Sequence, residues 1–140
     1  MFKKVLVPVD ILEPSFSVTA IANVTELVKA NDGEMRLIYV NTSITPIAGE
    51  FLPPAYDKET RAEAEKTLNE QARHISLSKE KITTVVRIGG IYHEILDEAR
   101  SFAADLIVVG SHRPSMATYL LGSNAANIVR HAQCSVLVIR

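Results

Sequence analysis

An open α/β sheet is the fold this sequence predicts, and two observations carry that prediction. Four short runs are apolar without alternation: Val5 to Val9, Met35 to Val40, Leu106 to Gly110 and Val136 to Ile139. Unbroken hydrophobicity is what a parallel strand needs when helices cover both of its faces. Segments with helical spacing stand between these runs, so strand and helix alternate from start to finish and imply right-handed crossovers.

Taken in order, Val5 to Val9 reads as the first strand rather than a leader peptide. Its apolar run is interrupted by Pro8 and closed by Asp10, and no small-residue cleavage site follows. Val18, Ile21, Val24, Leu27 and Val28 share one helical face, and Asn31-Asp32-Gly33 supplies a stop. After the second strand comes the least regular stretch, Thr42 to Tyr56, with Pro46, Gly49, Pro53 and Pro54; it is suited to be a mobile flap over a site. Ala64, Leu68, Ala72 and Ile75 define a second, strongly charged helix. Ile82 to Ile88 is a more polar strand expected at a sheet edge, and Gly89-Gly90 after it reads as a turn. Ile95, Leu96, Ala99, Phe102 and Ala103 mark a third helix. A fourth opens at Gly122-Ser123 and carries Ala125, Ile128, Val129 and Ala132. Five strands and four helices fill one domain, residues 1–140, with no internal repeat or linker.

The formal net charge of -1 offers no general attraction to nucleic acid or to an anionic membrane, so functional positive charge must be local. No stretch approaches the roughly 18 to 20 apolar residues of a membrane span. Cys134 is the single cysteine, which rules out an internal disulfide and points to a cytoplasmic address. It reads as a small buried hydrophobe. His74, His93, His112 and His131 are dispersed without metal-ligand spacing, so no protein metal site is expected, although Mg²⁺ can arrive with a nucleotide. The Walker loop is missing, as is a Gly-x-Gly-x-x-Gly turn after the first strand. A response regulator would carry a phosphorylatable Asp after the third strand, where this chain has Arg87-Ile-Gly-Gly. Ser111 beside His112 is no catalytic pair, since sequence neighbours rarely face each other. Nothing positions an attacking water, so no enzyme is expected beyond slow hydrolysis.

The most informative segment runs from Asp105 to Asn124. A buried strand ends at Gly110, and Gly122-Ser123-Asn124 opens a helix. Free N–H groups and the positive end of the helix dipole then face whatever anion sits there. The spacing resembles the phosphate loop of the universal stress protein family, Gly-x2-Gly-x9-Gly-Ser/Thr, and the whole chain fits that family. Arg113 stands where the second glycine would be, with eight residues between it and Gly122. The Gly-Ser-His-Arg-Pro and Leu-Leu-Gly-Ser-Asn-Ala-Ala runs are more similar to the enterobacterial F and G types than to the A type.

The resemblance implies a Rossmann-like adenine nucleotide alpha hydrolase-like fold, a five-stranded parallel sheet of order 3-2-1-4-5 with helices on both faces. Ligands of such sheets bind past the carboxyl ends of the strands where the order reverses, here between the first and fourth. The implied ligand is ATP, or ADP or AMP. Pro8-Val9-Asp10 matches the adenosine element, with Asp10 accepting ribose hydroxyls; as a residue before a helix, Asp10 could equally be a helix cap. Val40 matches the position whose backbone meets the adenine edge and is also the last core residue of its strand. Val109, Gly110, Ser111, His112, Arg113, Gly122, Ser123 and Asn124 match the phosphate-binding part, where Arg113 would exchange a backbone cradle for a guanidinium clamp. Ser123 could instead simply cap its helix. Thr118 is the lesser candidate of the same loop. The resemblance further implies a homodimer through antiparallel pairing of the last strand, Val136, Leu137, Val138 and Ile139, with Val136 and Val138 near the axis; an uncovered edge strand invites such pairing. Function would then be nucleotide-dependent regulation in stress. A weak ATPase and an interaction module with an empty pocket are the alternatives.

Overall fold

The computed structural model describes residues 1–10, 14–42, 54–110 and 122–140. Among these, strands and helices alternate: β1 (Lys4–Pro8), α1 (Pro14–Ala30), β2 (Glu34–Asn41), α2 (Pro54–Arg73), β3 (Ile82–Ile88), α3 (Ile91–Phe102), β4 (Leu106–Gly110), α4 (Ser123–His131) and β5 (Ser135–Ile139). A single 3₁₀ turn, Lys79–Lys81, precedes β3. The five strands form one parallel sheet in the order β3-β2-β1-β4-β5. Its order reverses between β1 and β4, and the polar β3 lies at an edge, as its composition predicts.

Each central strand feeds two cores, because successive side chains point to opposite faces. Val5, Val7, Met35, Leu37, Leu106 and Val108 pack with Val24 and Val28 of α1 and Ala64 and Leu68 of α2. Leu6, Ile38, Ile107 and Val109 pack with Ile95, Leu96 and Ala99 of α3 and Ala125 and Ile128 of α4. This double burial is why the strands read as unbroken apolar runs.

The helices end as local chemistry dictates. Asp32 takes the left-handed conformation at φ 49°, its amide donating to Lys29 and that of Gly33 to Val28. That pair of bonds satisfies the last carbonyls of α1. Gly33 fits closely there, since a Cβ would crowd the Lys3 carbonyl oxygen at 3.0 Å. Ala103 closes α3 in the same way, at φ 55°.

Several expectations need correction. Val18 is 61% exposed, because α1 turns it to the rim of a groove beside α2 instead of to the sheet. Ile75 packs on the core from beyond the end of α2, where its amide bonds to the Ala72 carbonyl. Val129 is exposed on α4, one step around the helix from buried Ile128. Ala103 and Ala132 are C-caps of their helices. Pro54 to Tyr56 belong to the first turn of α2 instead of an irregular stretch, with Pro54 at the position where a missing N–H costs nothing. The rest of the expected flap, 43–53, lies outside the described residues. Cys134 is half-buried against the α3–α4 core, and burial pushes its thiol pKa up. Among the described residues no helix is long and apolar enough to cross a membrane.

Candidate nucleotide site

At the carboxyl end of the sheet, where the strand order reverses, a cavity of about 270 Å³ opens between β1, β2 and β4 on one side and α3 and α4 on the other. Each wall follows from an element's end. The β1 ladder continues one residue past Pro8, with the Val9 amide donating to the Ile38 carbonyl at 2.9 Å, and this delivers Asp10 to the rim. Ile38, Tyr39, Val40 and Thr42 come from the end of β2, Val109 and Gly110 from the end of β4. Ile91 and Ile95 of α3 and Asn124, Ala125 and Ile128 of α4 complete the lining. Apolar walls with a few convergent polar groups are what a flat organic ligand needs.

The electrostatics are uneven. Burial, and then the negative charge of Asp10, pushes the Tyr39 hydroxyl above the ordinary tyrosine range. At the opposite rim, α4 begins at Ser123 with Gly122 as its N-cap. Among the described residues no side chain caps this end, and none stands within 4 Å of where a Gly122 Cβ would lie. The first helical amides and the positive end of the dipole lie at this end of α4.

A charge cluster flanks the α3 wall. Glu98 accepts from Arg36 and Arg87, and Arg87 also donates to Glu94. Burial alone would lower the Arg87 pKa, but its bonds to Glu94 and Glu98 outweigh that and hold it above the ordinary value. A larger groove of about 400 Å³ lies between α1 and the end of α2, bordered by Ile21, Thr25, Gln71 and Ile75. It gathers none of the motif residues.

A family model described as the universal stress protein family matches residues 1–140. The chain belongs to the universal stress protein family. Universal stress protein G of Salmonella typhimurium is 34% identical over 145 residues, and that of Shigella flexneri 32%, each alignment covering all of both chains. Among solved structures, the universal stress protein UspA from Lactobacillus plantarum superposes with TM-score 0.77 at 25% identity over 99% of this chain and 98% of its own. A universal stress protein in complex with cAMP gives TM-score 0.71 at 20% identity, over 99% and 97% of the two chains. One from Archaeoglobus fulgidus in complex with dAMP gives 0.65 at 16%, over all of both.

In this universal stress protein, Pro8, Val9, Asp10, Val40, Val109, Gly110 and Asn124, all singled out in the sequence, line one cavity. Asp10 stands four positions before the first described residue of α1, with 11–13 between them outside the described residues. Gly122 and Ser123 sit at the start of α4, beyond the cavity lining; Gly122, not Ser123, is the N-cap. Ser111, His112, Arg113 and Thr118 lie outside the described residues. Sequence reasoning missed Tyr39, Ile91 and Ile95, while Thr42, the first residue of the stretch expected over a site, does line the cavity. Ile95 was read only as core, and the signal available for Ile91 was its place directly after the Gly89-Gly90 turn, at the same sheet end as Asp10.

Proposed function

We propose that this cavity holds an adenine nucleotide, ATP or its relatives ADP and AMP, and that occupancy biases the partner affinity of a homodimer in the cytoplasm. One observation carries the reading: Asp10, Val40, Gly110 and Asn124, far apart in sequence, border a single cavity at the reversal of strand order. Two proteins of the same fold are complexes with cAMP and dAMP, which makes adenine nucleotides the class to test first.

In this reading the apolar walls take the base and the Val40 backbone meets its polar edge. Asp10 accepts hydrogen bonds from the ribose. Gly110, the opening amides of α4 at Gly122, Ser123 and Asn124, and the Ser111-His112-Arg113 segment take the phosphates. The start of α4, which no described side chain caps, fits an anion. Any Mg²⁺ rides on the phosphates. No residue is assigned a catalytic role, so turnover stays below about 1 per second, the low end of ordinary enzymes. β5 is an edge strand with Leu137 39% exposed, which supports pairing with a second copy through Val136 to Ile139.

The test is mass spectrometry of nucleotide released on denaturing the purified protein, followed by titration of the stripped protein. Adenine nucleotide at near one per chain is expected. An empty protein that also fails to bind on titration would leave only the interaction-module alternative.

A further inference from the structure

Glu98 is only 4% exposed, yet two guanidiniums from different strands converge on it. Arg36 Nη1 of β2 donates to Oε1 and Arg87 Nε of β3 to Oε2, both at 2.7 Å. Arg87 Nη1 reaches Glu94 Oε2, one turn earlier on α3, at 2.9 Å. Arg36 is braced in turn, its Nε donating to Thr83 at 2.9 Å and its guanidinium lying 4.2 Å from the centre of the Phe102 ring.

Buried ion pairs are poor stabilisers, because desolvation takes back most of the Coulombic gain. What a forked, two-strand pairing supplies is direction: it fixes the roll and axial position of α3. That matters because Ile91 and Ile95, the cavity wall, each stand three residues before a clamped carboxylate, and so one turn away on the helix. The facing wall is Ile38 and Val40, on the strand that carries Arg36, and Arg87 is in register with Val40. The cluster therefore joins the two walls directly.

We propose that Arg36, Arg87, Glu94 and Glu98 are positioning residues that set the gap between α3 and β2 and so the selectivity of the cavity for the base it takes. The inference rests on the nucleotide reading above. Released from the clamp, α3 shifts against the sheet and the cavity loses its discrimination between bases of different shape.

The test compares affinities for ATP and GTP by calorimetry on the full-length protein and on Arg87→Gln, Glu98→Gln and the milder Glu94→Gln. The wild-type protein is expected to prefer ATP, and the variants to lower the ATP-to-GTP affinity ratio by about tenfold, the scale of a methylene-sized misfit in an apolar pocket. Arg87→Lys, which keeps the charge without the fork, should fall between. Folded variants with an unchanged ratio overturn the proposal, even if their melting temperatures drop, because the cluster would then only stabilise. If the more buried variants fail to fold, the ratio in Glu94→Gln decides in the same way. A wild-type protein that binds ATP and GTP equally overturns this inference alone, whereas one that binds neither overturns the nucleotide reading with it.

Discussion

The carboxylate of Asp105 accepts the backbone N–H of Lys4 at 3.0 Å across 101 positions of sequence, and that of Lys3 at 2.8 Å. The Asp105 amide returns a bond to the Lys4 carbonyl at 2.9 Å. These bonds fasten the start of β4 to the start of β1, the two strands whose far ends flank the cavity. Hydrogen bonds to an ionised acceptor are the stronger kind. Asp105→Ala should therefore cost about 2–3 kcal/mol by denaturant unfolding, and Asp105→Asn roughly half as much.

Ala103 holds a left-handed conformation that an L side chain disfavours. Its side chain is exposed, so nothing is lost by removing it. Ala103→Gly should raise stability by about 0.5–1 kcal/mol, the difference between the strain relieved and the chain entropy glycine brings. Thermal unfolding reads this as a higher melting temperature with nucleotide affinity unchanged.

At Gly89, φ is 146°, and a Cβ would lie 2.8 Å from the Glu94 Oε1. Gly89→Ala should cost about 1–3 kcal/mol in backbone strain, with the displacement of Glu94 from Arg87 added to it. A double-mutant cycle with Glu94→Ala separates the two contributions. The steric part vanishes in the double variant and the backbone part remains.

Tyr39 provides a probe of the site that needs no ligand. Burial, and secondarily the Asp10 charge, raises its pKa. Because the folded state holds this proton more tightly than the unfolded chain, stability is unaffected below the ordinary tyrosine pKa of about 10 and falls as pH rises through and above it. Ultraviolet absorbance titration should show a tyrosine ionising above the ordinary value, and Tyr39→Phe should remove that component. Asp10→Asn should move that ionisation partway back, and Tyr39→Phe should flatten the alkaline loss of stability. If Asp10→Asn leaves the titration unmoved, the two residues do not share the rim as described.

The fold was legible because burial on two faces leaves a local trace. Val5 to Val9 and Leu106 to Gly110 read as strands from composition alone, and the polarity of Ile82 to Ile88 placed it at an edge. Asp10, Val40 and Gly110 were legible as strand ends from the same apolar runs, but their place in a common site came from the family resemblance. Val18 and Val129 were misplaced because helical spacing defines a face without saying which part of that face the sheet covers. Ile91 escaped notice because its role depends on the position of α3 over β2. Glu98 has the composition of a solvent-facing residue, and only the convergence of Arg36 and Arg87 from two strands makes its burial tolerable.

Calorimetric titration of the nucleotide-free protein with Mg²⁺ and ATP, ADP and AMP up to about 1 mM tests the central claim most directly, since weaker binding is worth less than about 4 kcal/mol. Saturable binding near one site per chain is predicted, weakened about tenfold by Asp10→Ala through loss of a charged acceptor. A well-folded protein that gives no heat with any of the three would contradict the account.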